Sequence, residues 1–304
     1  MDCNTERKNV STLCNNDMGP LMQIGFANAA FKFSTLALAM ELANWQAGID
    51  SKNIYMLPKV ASVESMDTED LYDETSYRKA KVKSGKKGFK ISYDTNLDLN
   101  AKIQSFESNG GLSVFMFFES GIIQGCRTSK GTDFKPIATS FINPENYKYN
   151  SSDKVGQTVV AFEFKDQRDI NDFDFLAIVI PEKGTPAWDY TQLEPLTTAV
   201  IEIVSATATK ITFKVFGEHI GNTAGVKIPI QGMVKENLIK TTTAGVSQAI
   251  ATMTATVGVA GQYEANGTGF TTGFLDLVAP ATARADANAI KGYESLAPVA
   301  VTIA

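Results

Sequence analysis

The chain has 304 residues, of which 44% are hydrophobic and 20% are charged, and its formal net charge is -5 at pH 7. This balance is typical of a globular protein and argues against a disordered chain, while the length favours two domains. The N-terminal segment is polar and no apolar run is long enough to cross a bilayer, so we expect neither secretory export nor a membrane span.

The first part of the chain predicts an α+β domain in which the sheet dominates. A helix is predicted from its cap at Ser34 to residue 47, with Gly48 as its end. A shorter helix is expected at 100–108. Strands are predicted by their apolar residues at 89–93, 114–118, 159–164 and 175–180.

The composition changes near Leu196, which predicts domains at 1–196 and 197–304. From residue 197 onward, acids and bases cancel at seven each, so the first 196 residues carry the whole net charge of -5. Three prolines between 181 and 195 indicate a surface connection. Within it, Trp188 is a candidate for a contact between domains or subunits, whereas Trp45 is expected in a core.

The second part predicts a β-sandwich. Ile211, Phe213 and Val215 alternate with polar residues, and a second row of apolar residues, Met253, Ala255, Val257 and Val259, alternates with threonines and Gly258. Further short strands are expected at 199–204, 226–230, 274–278 and 299–303. About seven strands in this length are typical of a sandwich.

The most informative local pattern is a pair of oppositely charged blocks. Residues 64–74 contain six acids and no base: Glu64, Asp67, Glu69, Asp70, Asp73 and Glu74. Residues 78–90 contain seven bases and no acid: Arg78, Lys79, Lys81, Lys83, Lys86, Lys87 and Lys90. Both blocks are consistent with solvated loops. A long hairpin is the alternative, in which Lys79, Lys81 and Lys83 share one face and contact acids of a neighbouring subunit. Clustered lysines also attract nucleic acid, but the acidic net charge disfavours that reading.

Residues for catalysis or for cofactor binding are scarce. The single histidine, His219, lies in a predicted turn, and the cysteines Cys3, Cys14 and Cys126 have no metal-binding spacing. Asp169, Asp172 and Asp174 lack the spacing and the glycine of an EF-hand, so a polar turn is the simpler reading than a calcium site. We therefore expect a non-enzymatic protein without metal or cofactor. A carboxylate pair for glycoside hydrolysis stays open, because such a pair is defined only in space.

The chain resembles the opening of virion structural proteins of tailed phages of Bacteroides-like hosts at residues 30–37, 43–49 and 52–58. The similarity continues through the charged blocks and the elements at 89, 97–108 and 114. Their order resembles phage tail tube (major tail) proteins over residues 20–180. The stretch 261–265, followed by 269–277, resembles late strands of bacterial and phage immunoglobulin-like domains. The resemblance implies a tail-tube-like β-sandwich or barrel with a flanking helix, followed by a smaller immunoglobulin-like β-sandwich.

The same resemblance implies a function in the virion tail, with assembly in the host cytoplasm. The expected partners are further copies of the chain in hexameric rings stacked into a tube, other tail or neck proteins, DNA as non-specific cargo, and a cell-surface glycan bound by the second domain. Two alternatives stay open at this point: a head decoration or neck protein of a virion, and a carbohydrate-binding surface protein.

Overall fold

The computed structural model describes residues 19–75, 78–83, 85–94, 97–107, 111–128, 131–151, 155–166, 175–179, 188, 190–217 and 227–303. The chain divides into two compact units, Met1–Glu194 and Pro195–Ala304, which we call unit 1 and unit 2. This division lies two residues before the boundary that the change in composition predicts. Both units are mainly β, as the sequence predicts.

In its described residues, unit 1 consists of strands and three short helices. Its described strands are β1 (Leu21–Asn28), β2 (Ile54–Met56), β3 (Ser62–Ser65), β4 (Leu71–Thr75), β5 (Arg78–Lys83), β6 (Gly88–Asp94), β7 (Leu112–Phe118), β8 (Ile122–Cys126), β9 (Ile137–Pro144), β10 (Gln157–Phe164) and β11 (Phe175–Val179). Its helices are α1 (Leu36–Ala39), α2 (Leu42–Asp50) and α3 (Leu97–Gln104), with a 3₁₀ turn at Tyr190–Gln192.

Nine of these strands form one sheet with the order β11-β8-β7-β9-β10-β6-β3, in which β1 also pairs with β7, and β2 with β1. Strands β8 and β9 pair with different halves of β7, at residues 116–117 and 113–114 respectively. The sheet therefore divides at β7 and curls into a half-barrel. Its interior is filled by buried apolar side chains from six strands and from α3, among them Phe26, Ile91, Ile103, Val114 and Phe162.

Strand β7 is buried on both faces. Val114 and Met116 belong to the interior core. On the opposite face Phe115 and Phe117 contact the indole of Trp45, with ring centroids 4.8 and 5.4 Å apart. Because neither face meets water there, residues 114–117 form a continuous apolar run instead of an alternating pattern.

The predicted helix at 34–47 is wrong in its bounds, because the chain forms two helices there. Thr35 caps α1, and its Oγ1 accepts a hydrogen bond from the Leu38 amide at 3.3 Å. The carbonyl groups at the break bind two indoles: Trp45 Nε1 donates to Ala39 at 2.8 Å and Trp188 Nε1 donates to Met40 at 2.7 Å. These bonds satisfy carbonyls that the interruption leaves without helical partners.

One further prediction in this region is corrected. Gly48 lies inside α2 instead of ending it; a Cβ there would lie 2.7 Å from Ile54 Cδ1, so glycine allows the helix to pack closely on β2. Trp188, the candidate for a contact between domains or subunits, contacts Met40 and Trp45 of unit 1. Its indole is buried in unit 1 and packs against Trp45 at 6.5 Å between ring centroids.

Unit 2 consists of two sheets around one core. Its described strands are β12 (Thr197–Ala206), β13 (Lys210–Gly217), β14 (Ile228–Pro229), β15 (Leu238–Thr242), β16 (Ser247–Gln248), β17 (Thr252–Ala255), β18 (Gln262–Asn266), β19 (Gly273–Leu277), β20 (Tyr293–Ser295) and β21 (Val299–Val301). Helix α4 (Pro280–Ala285) and a 3₁₀ turn at Lys235–Asn237 connect strands.

The two sheets have the orders β17-β18-β13-β12-β20, with β14 on β13, and β16-β15-β19-β21. They share a core to which the first contributes Ile211, Phe213 and Val215 and the second Leu238 and Leu275. The alternation predicted for 211–215 is thereby confirmed. The row predicted at 253–259 is wrong from Ala255 onward, because Ala255 is exposed and the chain turns at 256–259, where Val257 is 98% exposed.

A buried lysine joins parts of unit 2. Lys240 in β15 is fully buried, and its Nζ donates to the carbonyl oxygens of Thr241 and Thr271, each at 2.8 Å, and to Gln248 Oε1 at 3.2 Å. Burial lowers the pKa of this amino group from its usual value. All three acceptors are neutral, so the lysine acts as a hydrogen-bonding link between β15, β16 and the segment before β19.

We expect Lys240→Met to lower the stability of unit 2 by about 2 kcal/mol, because three acceptors lose their donor. Lys210→Met is the matched control: Lys210 Nζ makes an exposed ion pair with Glu264 at 3.2 Å, and its loss costs less than about 1 kcal/mol. Amide hydrogen exchange of β15 and β19 measures the difference. Equal exchange in the two variants would contradict the linking role.

A two-stranded arm as the candidate assembly site

The described residues 61–75, 78–83 and 85–92 form a long antiparallel ribbon, which we call the arm. At its base β3 pairs with β6, with Val63 opposite Ile91 and Glu64 opposite Lys90. The pairing continues between the strands, where the Met66 amide donates to the Gly88 carbonyl at 2.9 Å and the Thr68 amide to the Lys86 carbonyl at 2.8 Å. At the far end β4 pairs with β5. The predicted long hairpin is therefore present.

The base and the far end of the arm have different surroundings. Strand β6 pairs with β10 over residues 88–94, so the base belongs to the nine-stranded sheet. Strands β4 and β5 form a separate sheet of two strands, and among the described residues they pair only with each other. The far end thus leaves the body of unit 1 as a ribbon.

The two charged blocks run alongside each other on the two strands of the arm. The register places Glu74 opposite Lys79, Asp73 opposite Ala80 and Thr75 opposite Arg78. Lys81 lies opposite Tyr72, and Lys83 opposite Leu71, with an irregularity in the ladder between these two pairs. The blocks therefore face each other within one chain, in contrast to the sequence-based hypothesis, which paired the lysines only with a neighbouring subunit.

Charged residues near the base make ion pairs inside unit 1. Lys86 Nζ lies 2.7 Å from Glu163 Oε2 on β10, and Lys90 Nζ lies 2.5 Å from Glu145 Oε1. The hydrogen bond to Glu145 raises the pKa of Lys90. These pairs attach the base to the sheet. Lys86, predicted as an interface residue, is thus already paired within its own chain.

The remaining predicted interface residues lie in the connection between β3 and β4 and in the facing segment between β5 and β6. Asp67 and Glu69 are exposed, Asp70 Oδ1 accepts a hydrogen bond from the Gly85 amide at 2.7 Å, and Lys87 is half-buried. Asp70 therefore has a structural role in holding the middle of the arm closed. Asp67 and Glu69 are the acids of this segment that lie open to solvent.

The far end exposes large apolar side chains that the charge pattern does not reveal. Leu71 is 58% exposed, Tyr72 46% and Val82 62%. A two-stranded ribbon has no second layer to cover such groups. In the sequence they appear as apolar residues inside otherwise charged blocks. The charge pattern alone did not predict that these residues are exposed.

The residues that the structure describes contain no group of side chains suited to a metal ion. No cluster of three or more histidine, cysteine, aspartate or glutamate side chains suited to a metal is found there. His219, Asp169, Asp172 and Asp174 lie outside the described residues. Within the same part of the chain, no helix is both long and apolar enough to span a bilayer.

No protein-family model, curated protein or solved structure matches the chain. The function is therefore inferred from the structure of the chain, in which the arm is the most distinctive feature.

The middle of the arm depends on a glycine. A Cβ on Gly85 would overlap the carbonyl oxygen of Thr68 on the facing strand, so we expect Gly85→Ala to separate the two strands there. Trypsin should then cleave within residues 78–90 roughly tenfold faster, because local opening exposes the backbone. Gly111→Ala is the control, since nothing lies within 4 Å of a Cβ at that position. Unchanged cleavage of Gly85→Ala would show that the strands are not closely paired at this point.

Proposed function

We propose that the protein is a structural protein whose copies assemble through the arm, forming rings that stack into a tube. The observation that carries this proposal is the far end of the arm: a ribbon outside the main sheet with exposed Leu71, Tyr72 and Val82. We expect no catalytic activity and no cofactor, because the proposed work consists of contacts between copies.

Burial of the exposed apolar groups favours association. Fully removing a valine or leucine side chain from water contributes about 1.5–3 kcal/mol, so burying the exposed parts of Leu71, Tyr72 and Val82 would contribute part of the free energy of a contact. An isolated two-stranded hairpin is only marginally stable in water, and a neighbouring copy would supply the layer that it lacks. Docking of the arm would therefore stabilise the arm and the assembly together.

The shape of the arm favours a head-to-tail contact. A projecting ribbon and the surface that receives it are different parts of the same chain, so the contact is heterologous, and such contacts close into rings when the rotation permits. Charge complementarity fixes the register of such a contact more than it adds affinity. The cationic residues of β5 and the exposed acids Asp67 and Glu69 are suited to that role.

A tail tube is the specific assembly that we propose. The order of the elements in residues 20–180 resembles tail tube proteins, and the mainly β fold, the half-barrel and the arm are compatible with that family. In this proposal the rings are hexameric, the tube conducts DNA without base recognition, and the assembly lies in the virion tail. Unit 1 carries the net negative charge of the chain, which suits a conduit for DNA because cationic walls would bind phosphate.

Unit 2 is assigned a peripheral role in the same proposal. A sandwich-like unit with its own core would remain folded while unit 1 assembles. Its partners would be other tail or neck proteins, or a cell-surface glycan.

The apolar contact is tested by Tyr72→Ser combined with Val82→Ser. Because both side chains are exposed in the single chain, we expect the fold to persist and the concentration needed for assembly to rise at least about tenfold. Sedimentation velocity measures this concentration. The matched control is Tyr149→Ser combined with Val155→Ser, a tyrosine and a valine of unit 1 that are also exposed. Equal assembly of both variants would exclude the far end of the arm as the contact.

The electrostatic contact is tested by replacing Lys79, Lys81 and Lys83 with glutamate. We expect a folded monomer that does not assemble, because the strand proposed to contact acids of a neighbouring copy then carries negative charge. Negative-stain electron microscopy and circular dichroism distinguish failed assembly from failed folding. The control replaces the exposed Lys59, Lys148 and Lys165 with glutamate, which changes the net charge equally. Normal rings or tubes from the arm variant would overturn the electrostatic part of the proposal.

A further inference from the structure

Strand β17 forms an open edge of the larger sheet in unit 2. Within the described part of the chain it pairs with β18 alone, with Thr254 opposite Glu264. The ladder extends to residue 256, where the Thr256 amide donates to the Gln262 carbonyl at 2.8 Å. Hydrogen-bonded residues alternate in an antiparallel pair, so Thr252 and Thr254 also bond to β18. The amide and carbonyl groups of Met253 and Ala255 consequently point away from the sheet.

This edge lacks the chemical features that usually prevent pairing. No charged residue and no proline occurs in the 23 residues from 241 to 263. Exposed edges are commonly protected by a lysine, a proline or a bulge, and none of these occurs in residues 252–255; directly before the strand, Lys235 Nζ donates to the Ala251 carbonyl at 3.4 Å. The adjacent turn adds the nearly fully exposed Val257. An incoming strand would therefore meet neither charge repulsion nor a missing donor.

The residues of this edge are complementary to themselves. The sequence from 252 to 256 is Thr-Met-Thr-Ala-Thr. When two copies are placed antiparallel about Thr254, each threonine faces a threonine on one side of the ribbon, and such pairs are favourable across strands. On the other side Met253 faces Ala255, which joins a long side chain to a short one. Ala255 is exposed in the single chain, so space for the methionine is present.

We propose that two copies of the chain pair through β17, antiparallel and with Thr254 on the two-fold axis. The outward amide and carbonyl groups of Met253 bond to those of Ala255 in the second copy, and the two sheets become one. This contact does not depend on the arm. A two-fold symmetric contact cannot join successive rings of a head-to-tail stack. The pair would therefore form between free chains or between copies in separate stacks.

Disulfide trapping tests the register of this pair. In the proposed arrangement the two Thr254 residues form a pair without backbone hydrogen bonds, with Cα atoms about 4.5 Å apart, a separation that a disulfide can bridge. The two Thr252 residues are about 14 Å apart, four residues out of register, and cannot be bridged. Both threonines are exposed on the same strand, so Thr252→Cys is a matched control for Thr254→Cys.

The experiment uses the full chain with Cys3→Ser and Cys14→Ser, in the Tyr72→Ser and Val82→Ser background that removes the arm contact. We expect Thr254→Cys to form the covalent dimer at least tenfold faster than Thr252→Cys under mild oxidation. Equal rates, or no dimer from either variant, would overturn the proposed pair. If the arm proposal fails and this background still assembles, the ratio of the two rates still reports on β17, because the two positions differ only along the strand.

A second measurement does not need a cysteine. In the same arm background, sedimentation velocity should show a concentration-dependent dimer, and Thr254→Lys should be monomeric because two like charges would meet at the axis. Thr209→Lys, at an exposed turn away from β17, should leave the dimer intact. A monomer in the arm background itself, or a dimer that Thr254→Lys does not affect, would contradict the pairing of β17.

Discussion

The burial of β7 on both faces is the constraint on which unit 1 depends. One face of this strand contributes to the interior of the half-barrel and the other contacts Trp45 and its aromatic neighbours. Because β1, β8 and β9 all pair with β7, the position of the sheet is fixed by this packing. The sheet then extends through β9 and β10 to β6, which is one strand of the base of the arm. The arm therefore begins from a rigid support although its far end is a bare ribbon.

In the proposed assembly, this arrangement would separate folding from association between copies. The ion pairs of Lys86 and Lys90 hold the base of the arm to unit 1, whereas the exposed Leu71, Tyr72 and Val82 lie beyond them. A chain of this design would fold alone and bury its remaining apolar groups against another copy. The opposite positions of Glu74 and Lys79 lower the net charge of the ribbon, so that one ribbon would approach another surface with little repulsion. Charge complementarity would then fix the register of the contact between copies, and burial of the apolar side chains would supply most of its affinity.

Sequence patterns predicted the elements whose burial follows a simple period. The strands expected at 89–93 and 114–118 appear as β6 and β7, and the inward row at 211–215 is fully buried. The helix bounds were missed because Gly48 is required by contact with Ile54, and sequence alone does not show that contact. The turn at 256–259, with Gly258 at a φ of 79°, breaks an alternation that would otherwise continue. The exposure of Leu71, Tyr72 and Val82 could not be predicted from the charged residues around them. It results from the two-stranded ribbon, which has no second layer to cover these side chains.

The central claim is that copies of the chain assemble through the arm, and cryo-electron microscopy of the unmodified protein over a range of concentrations tests it most directly. Assembly through the arm predicts closed rings or hollow tubes in which the far end of the arm of each copy lies against the next copy. Particles that remain single chains at every concentration, or rings in which the arm touches no neighbour, would contradict it.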